Sequence, residues 1–189
     1  LLNRPTFLRL LEDAVSASAA DNHQHGLLLI EPDHYQRLLQ EIGLDSADDM
    51  LAALAERVRA VIGDQAVAAR YAEHRLAVLL RDADHARTVA LAENILAAFT
   101  ADMFQIGSHS SVVTASIGGV QIGEKIASIS QVLAKADAGV ASSLAVGGNR
   151  YEIFDPAAAD RAEEEHMQAW VERLRDALDR DSFVLHTSR

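Results

Sequence analysis

Ala66-Val67-Ala68-Ala69-Arg70-Tyr71-Ala72-Glu73-His74-Arg75-Leu76-Ala77-Val78-Leu79-Leu80 is the stretch on which the fold turns. Two short apolar runs, Ala66 to Arg70 and Leu76 to Leu80, flank a polar middle. Their length and pairing read as a β-hairpin with Ala72-Glu73-His74 at its tip. That tip holds neither Gly nor Asn, the residues that usually supply positive φ in a tight hairpin. Upstream, Met50, Leu51, Leu54, Val58 and Val61 recur at helical spacing and predict a helix closed by Gly63. Farther upstream, Leu27-Leu28-Leu29-Ile30 is the continuous apolar run of a strand covered on both faces, stopped by Pro32. Phe7, Leu8, Leu11 and Val15 predict a first helix, which ends in the polar turn Asp21 to Gly26. Downstream of the hairpin, Leu91, Ile95, Ala98 and Phe99 mark a helix, and Val112 to Ile117 a strand ending in Gly118-Gly119. Ile129, Val132, Leu133, Ala136 and Val140 mark another helix, and Gly147-Gly148-Asn149 turns the chain into a short strand, Tyr151 to Phe154.

The whole chain has 189 residues, 49% hydrophobic and 24% charged, which suits one globular domain and a remainder. Its net charge of −11 opposes a broad grip on nucleic-acid phosphates or an anionic membrane surface. The absence of cysteine excludes disulfides, thiolate nucleophiles and Cys-based zinc sites. No apolar run approaches the ~20 residues that span a bilayer, so no membrane insertion and a cytoplasmic location are expected. Beginning at Leu1, the chain reads as a fragment of something longer. Eight histidines are present, but His23 and His25 lie in a turn and no helix carries the i, i+4 pair of a zinc site, so they read as scattered surface residues. Asp45 or Ser46 reads as a helix N-cap rather than part of a Ca²⁺ loop, because the central Gly and terminal Glu of that loop are missing.

Asp155-Pro156 marks a boundary, giving a domain over 1–155 and a connecting amphipathic helix over 156–182. Met167, Trp170, Val171, Leu174 and Leu178 line one face of that helix and read as a packing stripe. Phe183-Val184-Leu185-His186, within 183–189, reads as the first strand of a further domain.

Over residues 1–155 the order of elements, together with a series of local phrases, resembles the GGDEF domain of diguanylate cyclases. The phrases are Leu2-Asn3-Arg4 with Phe7, Asp33-His34-Tyr35, Leu54-Ala55-Glu56-Arg57-Val58-Arg59, Ala69-Arg70, Ala77-Val78-Leu79-Leu80, Val113-Thr114-Ala115-Ser116-Ile117-Gly118, Ala136-Asp137 and Gly147-Gly148-Asn149-Arg150. The resemblance implies an α+β fold similar to the palm of nucleotide cyclases, with a central, mainly antiparallel sheet wrapped by helices. It also implies chemistry in which two GTP molecules are joined with the help of two hard cations held by carboxylates.

Position by position, that chemistry is depleted. The family's first metal carboxylate falls on Glu31, one methylene longer than the usual Asp. The signature hairpin reads Ala72-Glu73-His74-Arg75-Leu76 in place of Gly-Gly-Asp/Glu-Glu-Phe. His74 thus replaces the second metal carboxylate, and an imidazole is a poor ligand for Mg²⁺. Glu73 adds a negative charge where a polyanion would lie, and Arg75 reverses the next acidic residue. Leu39 stands where the family has the Asn that reads guanine, Asp48 keeps that Asn's companion carboxylate, and Leu144 replaces a phosphate-binding Lys. The family's product-inhibition sequence aligns with Gly63-Asp64-Gln65-Ala66, without its Arg or Asp anchor. Glu31, Asp33 and Asp48 are either a nucleotide-binding remnant or inherited carboxylates at a helix start and on the surface.

No catalytic residues, metal site or cofactor are therefore expected, and retention of GTP or Mg²⁺ at Glu31 is not expected. Phe183-Val184-Leu185-His186 resembles the opening of an EAL domain, the fold that binds or cleaves cyclic di-GMP, although Thr187-Ser188-Arg189 replaces its Tyr-Gln-Pro. The whole is similar to GGDEF–EAL signalling proteins with degenerate halves, which implies a bacterial regulator of type IV pili and twitching motility. The partners that follow are the adjacent EAL domain, an upstream sensor, a second copy along the terminal helices, and other signalling or pilus proteins. A GTP-binding domain without turnover and an active cyclase with altered metal ligands are the alternatives.

Overall fold

A computed structural model describes residues 1–126 and 128–187, with the backbone alone at 159, 161 and 182–187. The chain divides into two units, Leu1–Asp155 and Pro156–Arg189. In the first, a five-stranded sheet lies between two layers of helices. Its strands are β1 (His25–Pro32), β2 (Ala66–Ala72), β3 (Arg75–Leu80), β6 (Ala115–Ile122) and β7 (Arg150–Phe154), in the order β2-β3-β1-β6-β7. All pairs are antiparallel except β6–β7, so the sheet is mainly antiparallel as expected. A separate two-stranded ribbon, β4 (Phe104–Ile106) and β5 (His109–Ser111), precedes β6.

The alternation of β1 explains its unbroken apolar run. Leu28 and Ile30 face a core shared with α2 (Tyr35–Ile42), α3 (Ala47–Ile62) and α4 (His85–Ala101). Leu27 and Leu29 face a second core shared with α1 (Arg4–Asp21) and α5 (Ile129–Ala145). Side chains of a strand alternate in direction, so a strand covered on both sides must be apolar at every position. Asn3 caps α1 by accepting from the Thr6 N–H, and Leu2 forms a one-residue parallel bridge to Ala69. Asp84 and Ser128 cap α4 and α5 in the same way.

Several expectations need correction. Gly118 and Gly119 lie inside β6 rather than at its end, and the strand starts at Ala115, not Val112. The reason is α5: a Cβ on Gly118 would stand 2.1 Å from the Ala136 carbonyl oxygen, so only glycine lets the helix press against the strand there. The hairpin tip is the two-residue turn Glu73-His74, because Ala72 already pairs with Arg75. Neither tip residue takes positive φ, and a register shift between Arg70 and Ala72 adjusts the strand, so the turn has no need of Gly or Asn. Ser46 precedes α3 without a capping side-chain hydrogen bond; its hydroxyl donates instead to the Ile42 carbonyl of α2. His25 is buried at the start of β1, not on the surface.

The second unit is helix α6 (Ala158–Thr187). It takes in 183–187, expected as a strand, whereas 188 and 189 lie outside the described residues. No Gly or Pro occurs between Pro156 and Thr187 to stop the helix. The stripe from Met167 to Leu178 is exposed, contrary to its reading as packing residues.

Candidate functional site

Sheet register brings the signature residues together. β1 and β3 pair with Ile30 opposite Leu76, so one step farther Glu31 stands beside Arg75. The Arg75 Nε donates to Glu31 Oε1 at 3.0 Å, and one of its terminal nitrogens donates to Asp137 Oδ1 on α5. His74 Nε2 lies 3.1 Å from the same Glu31 oxygen. Its ring stacks on Tyr35, with centroids 4.4 Å apart and planes 20° from parallel. The tautomer that fits carries its proton on Nε2, since Nδ1 is buried without a hydrogen-bond partner. Three elements thus meet at the Arg75 guanidinium: the end of β1 through Glu31, the hairpin that carries Arg75, and α5, which Gly118 and Gly139 let approach the sheet closely enough to present Asp137.

Burial acts to lower the pKa of the Arg75 guanidinium, but its hydrogen bonds to Asp137 and Glu31 outweigh that and raise it above the ordinary arginine value. The group is a permanent cation between two carboxylates. For Tyr35, burial comes first and the negative charge of Glu73 second in raising the hydroxyl's pKa.

The remaining predicted positions separate. Asp48 is exposed and paired with Arg70 at 3.1 Å, so an internal guanidinium meets the carboxylate that the family resemblance assigns to guanine. Asp33 is buried and accepts from Ser116 Oγ at 2.6 Å, Thr114 Oγ1 at 2.7 Å and the Asn149 N–H at 2.8 Å. Gly148, at φ +76°, packs so close that its Cβ would stand 2.4 Å from the Asp33 carboxyl carbon. Asp33 therefore clamps the turn before β7 onto the ends of β1 and β6. Leu39 is buried in the core with α3, and Leu144 packs against the α1–α5 core. Ala72 and Leu76 are strand residues, Leu76 buried, while Glu73 points to solvent. A cleft of about 630 Å³ lies along the β2 edge, lined by Leu2, Arg59, Gly63 and Val67, and no member of the Glu31 cluster borders it.

Sequence reasoning did not single out Asp137 or Tyr35 as members of this cluster, nor Arg70 as the partner of Asp48. The first sits on an amphipathic helix far along the chain, and only the glycine pair facing it, Gly118 and Gly139, signals how close that helix comes. The donor set does not fit a hard divalent cation. Of the two positions that the resemblance makes metal ligands, only Glu31 is a carboxylate, and one of its oxygens already takes Arg75 and His74. No group of three or more His, Asp or Glu side chains among the described residues could hold a metal. No described helix is long and apolar enough to cross a membrane.

The model of the family described as "Diguanylate cyclase, GGDEF domain" matches residues 1–150. Among curated proteins, the chain is 27% identical over 160 residues to the cyclic di-GMP phosphodiesterase NbdA of Pseudomonas aeruginosa, covering 85% of this chain and 20% of that protein. It is 27% identical over 186 residues to the bifunctional diguanylate cyclase/cyclic di-GMP phosphodiesterase MucR of the same organism, covering 98% of this chain and 27% of that protein. The chain thus spans between a fifth and just over a quarter of those relatives' length. Among solved structures, the FimX GGDEF domain from P. aeruginosa superposes with a TM-score of 0.75 at 26% identity, over 82% of this chain and 94% of that one. The active GGEEF domain of a Vibrio cholerae diguanylate cyclase shares the fold with a TM-score of 0.71 at 19% identity, over 82% and 97% of the two chains. With the family model matched over most of its length, this chain belongs to the GGDEF (diguanylate cyclase) domain family.

Proposed function

We propose that this domain is a non-catalytic regulator within a cyclic di-GMP signalling protein, acting through protein contacts and through coupling to an adjacent EAL domain and an upstream sensor. The observation that carries the reading is the Arg75 guanidinium fixed between Glu31 and Asp137. Joining two triphosphates requires exchangeable divalent cations that neutralise developing charge, and a tethered monovalent cation cannot bridge phosphate oxygens as a metal ion does. A second positive charge placed near 4 Å from the guanidinium is opposed by ~4 kcal/mol at an effective dielectric of 20. The cyclic di-GMP enzymes among the relatives, each several times the length of this chain, support the signalling context, and a role in type IV pili and twitching motility is the reading implied by the resemblance to GGDEF–EAL regulators with degenerate halves.

The alternative is a GTP sensor without turnover, using Glu31, Asp48 and Arg75. Against it stands the engagement of all three with one another or with Arg70. Titration calorimetry of the 189-residue chain with GTP and Mg²⁺ tests the proposal, which expects no binding heat at millimolar ligand. Saturable binding abolished by Asp48→Ala would establish the sensor instead.

A further inference from the structure

Strand β7 leads from the clamp at Asp33 to Asp155, the last residue of the globular unit. At its first end the Asn149 N–H is held by Asp33, which lies two residues beyond Glu31 and also fixes Thr114 and Ser116. At its far end the Asp155 side chain is 4% exposed, and its Oδ2 stands 3.3 Å from His85 Nδ1 at the start of α4. Between the two, the Tyr151 hydroxyl donates to Glu93 Oε1 at 2.9 Å. Strand side chains alternate, so Tyr151, Ile153 and Asp155 share one face, the face on which α4 lies. The spacings match: from His85 to Glu93 the helix rises about 12 Å, and from Tyr151 to Asp155 the strand advances about 13 Å. Helix α4 thus laces β7 at two points, running antiparallel to it. The opposite face is closed by α5, where a Cβ on Gly139 would stand 2.8 Å from the Glu152 carbonyl oxygen and Lys135 Nζ lies 4.4 Å from the centre of the Phe154 ring. One edge pairs with β6 from Arg150 to Phe154. A close-packed strand held on both faces, along one edge and at both ends has little room to bend, so a shift at one end is passed to the other. Pro156 extends the constraint: the residue before a proline is confined to extended backbone, so Asp155 carries the strand's direction out of the unit.

We propose that β7 is a coupling rod about 20 Å long that joins the Arg75–Glu31 cluster, through Asp33, to the exit of the chain at Asp155, with Asp33 and His85 as the positioning residues at its two ends. The inference rests on the reading that this domain works by coupling to a neighbour, and it names the element that carries the coupling. Its test reads the strand itself, so it can fail in a chain that makes no cyclic di-GMP and hold in one that does.

The test is amide hydrogen exchange of the 189-residue chain, resolved by residue in NMR spectra, at the two ends of β7. Asp33→Asn keeps the size of the side chain and replaces one accepting oxygen with a donor. It is expected to accelerate exchange roughly threefold or more at the far end, from Ile153 to Asp155, as well as beside the mutation. His85→Ala is expected to do the same at Asn149 and Arg150. In the double variant the acceleration at either end falls well short of the product of the two single effects, because a rod freed at one end has less left to lose. Leu11→Ala, in the core on the α1 side of the sheet, lowers overall stability and is expected to change the ends of β7 no more than the other strands. Thr114→Val removes one of the clamp's donors and gives the Asp33→Asn pattern at smaller amplitude, which keeps the test open if Asp33→Asn does not fold. Acceleration confined to the mutated end, single effects that multiply independently, or the same pattern from Leu11→Ala would each overturn the inference.

Discussion

Replacing Arg75 with Met keeps the length of the side chain and removes its charge and donors. Two contacts disappear: the 3.0 Å hydrogen bond to Glu31, whose side chain is almost wholly enclosed, and the bond to Asp137, whose side chain is largely solvent-exposed. A hydrogen bond to a charged, enclosed partner contributes about 1.5–3 kcal/mol. The exposed Asp137 leg contributes at most ~1 kcal/mol because water screens it. Glu31 keeps its contact with His74, which limits the desolvation cost of the carboxylate left behind. The expected loss is therefore about 2–4 kcal/mol, or roughly 5–12 °C in Tm for a chain of this size. Urea unfolding at pH 7, followed by far-ultraviolet circular dichroism, measures it as a lowered midpoint at unchanged slope. The same titration of the unaltered chain is expected to be indifferent to 10 mM Mg²⁺, since a ligand that binds only the folded state would raise the midpoint. A variant within 0.5 kcal/mol of the parent, or a parent stabilised by Mg²⁺, would refute the reasoning that Arg75 serves as the site's cation.

Gly118→Ala forces α5 away from β6, where a Cβ would stand 2.1 Å from the Ala136 carbonyl. The expected cost is about 1–3 kcal/mol by thermal unfolding, accompanied by loss of the stability that Asp137 confers on Arg75. Arg57 donates to the carbonyls of Ala98, Asp102 and Met103 at the C-terminal end of α4 and lies 3.6 Å over the Phe104 ring. Arg57→Ala is expected to destabilise by about 1–3 kcal/mol in urea, with amide exchange accelerated first in the last turn of α4. Burial lowers the pKa of His25 below its usual 6.5, so the unfolded chain takes up a proton that the folded one refuses. Stability from this group is full above about pH 6.5 and falls as the pH drops below it. His25→Asn flattens that part of the profile, and parallel profiles for the two proteins would contradict the assignment.

The sequence was most legible where one physical constraint acts alone. The run Leu27 to Ile30 could only be a doubly covered strand, and the spacing from Met50 to Val61 could only be a helix, so the sheet's centre and α3 follow from pattern. Legibility failed where long-range contact overrides local signal. Gly118-Gly119 looks like punctuation but is a packing device for α5, and Phe183 to His186, rich in strand formers, continues a helix because nothing local ends it. The β4–β5 ribbon escaped notice because three-residue strands carry too little periodicity to register. At the site, the substitutions in the hairpin were plain from the chain, yet what they build was not. Arg75 reads as the loss of an acid; only the register of β1 with β3, and the closeness of α5, turn it into a cation bridging Glu31 and Asp137. Asp33 reads as a candidate ligand and proves to be the clamp on the turn before β7, which needs Thr114 and Ser116 at the start of β6 and Asn149 far along the chain.

The central claim is that this GGDEF domain has exchanged its metal-dependent chemistry for an internal ion cluster. Its most direct test is incubation of the purified chain with GTP and either Mg²⁺ or Mn²⁺, followed by chromatographic quantification of cyclic di-GMP against a Glu31→Ala control. The account predicts no product with either metal and no difference from the control. Cyclic di-GMP formed by the parent chain and abolished by Glu31→Ala would contradict it.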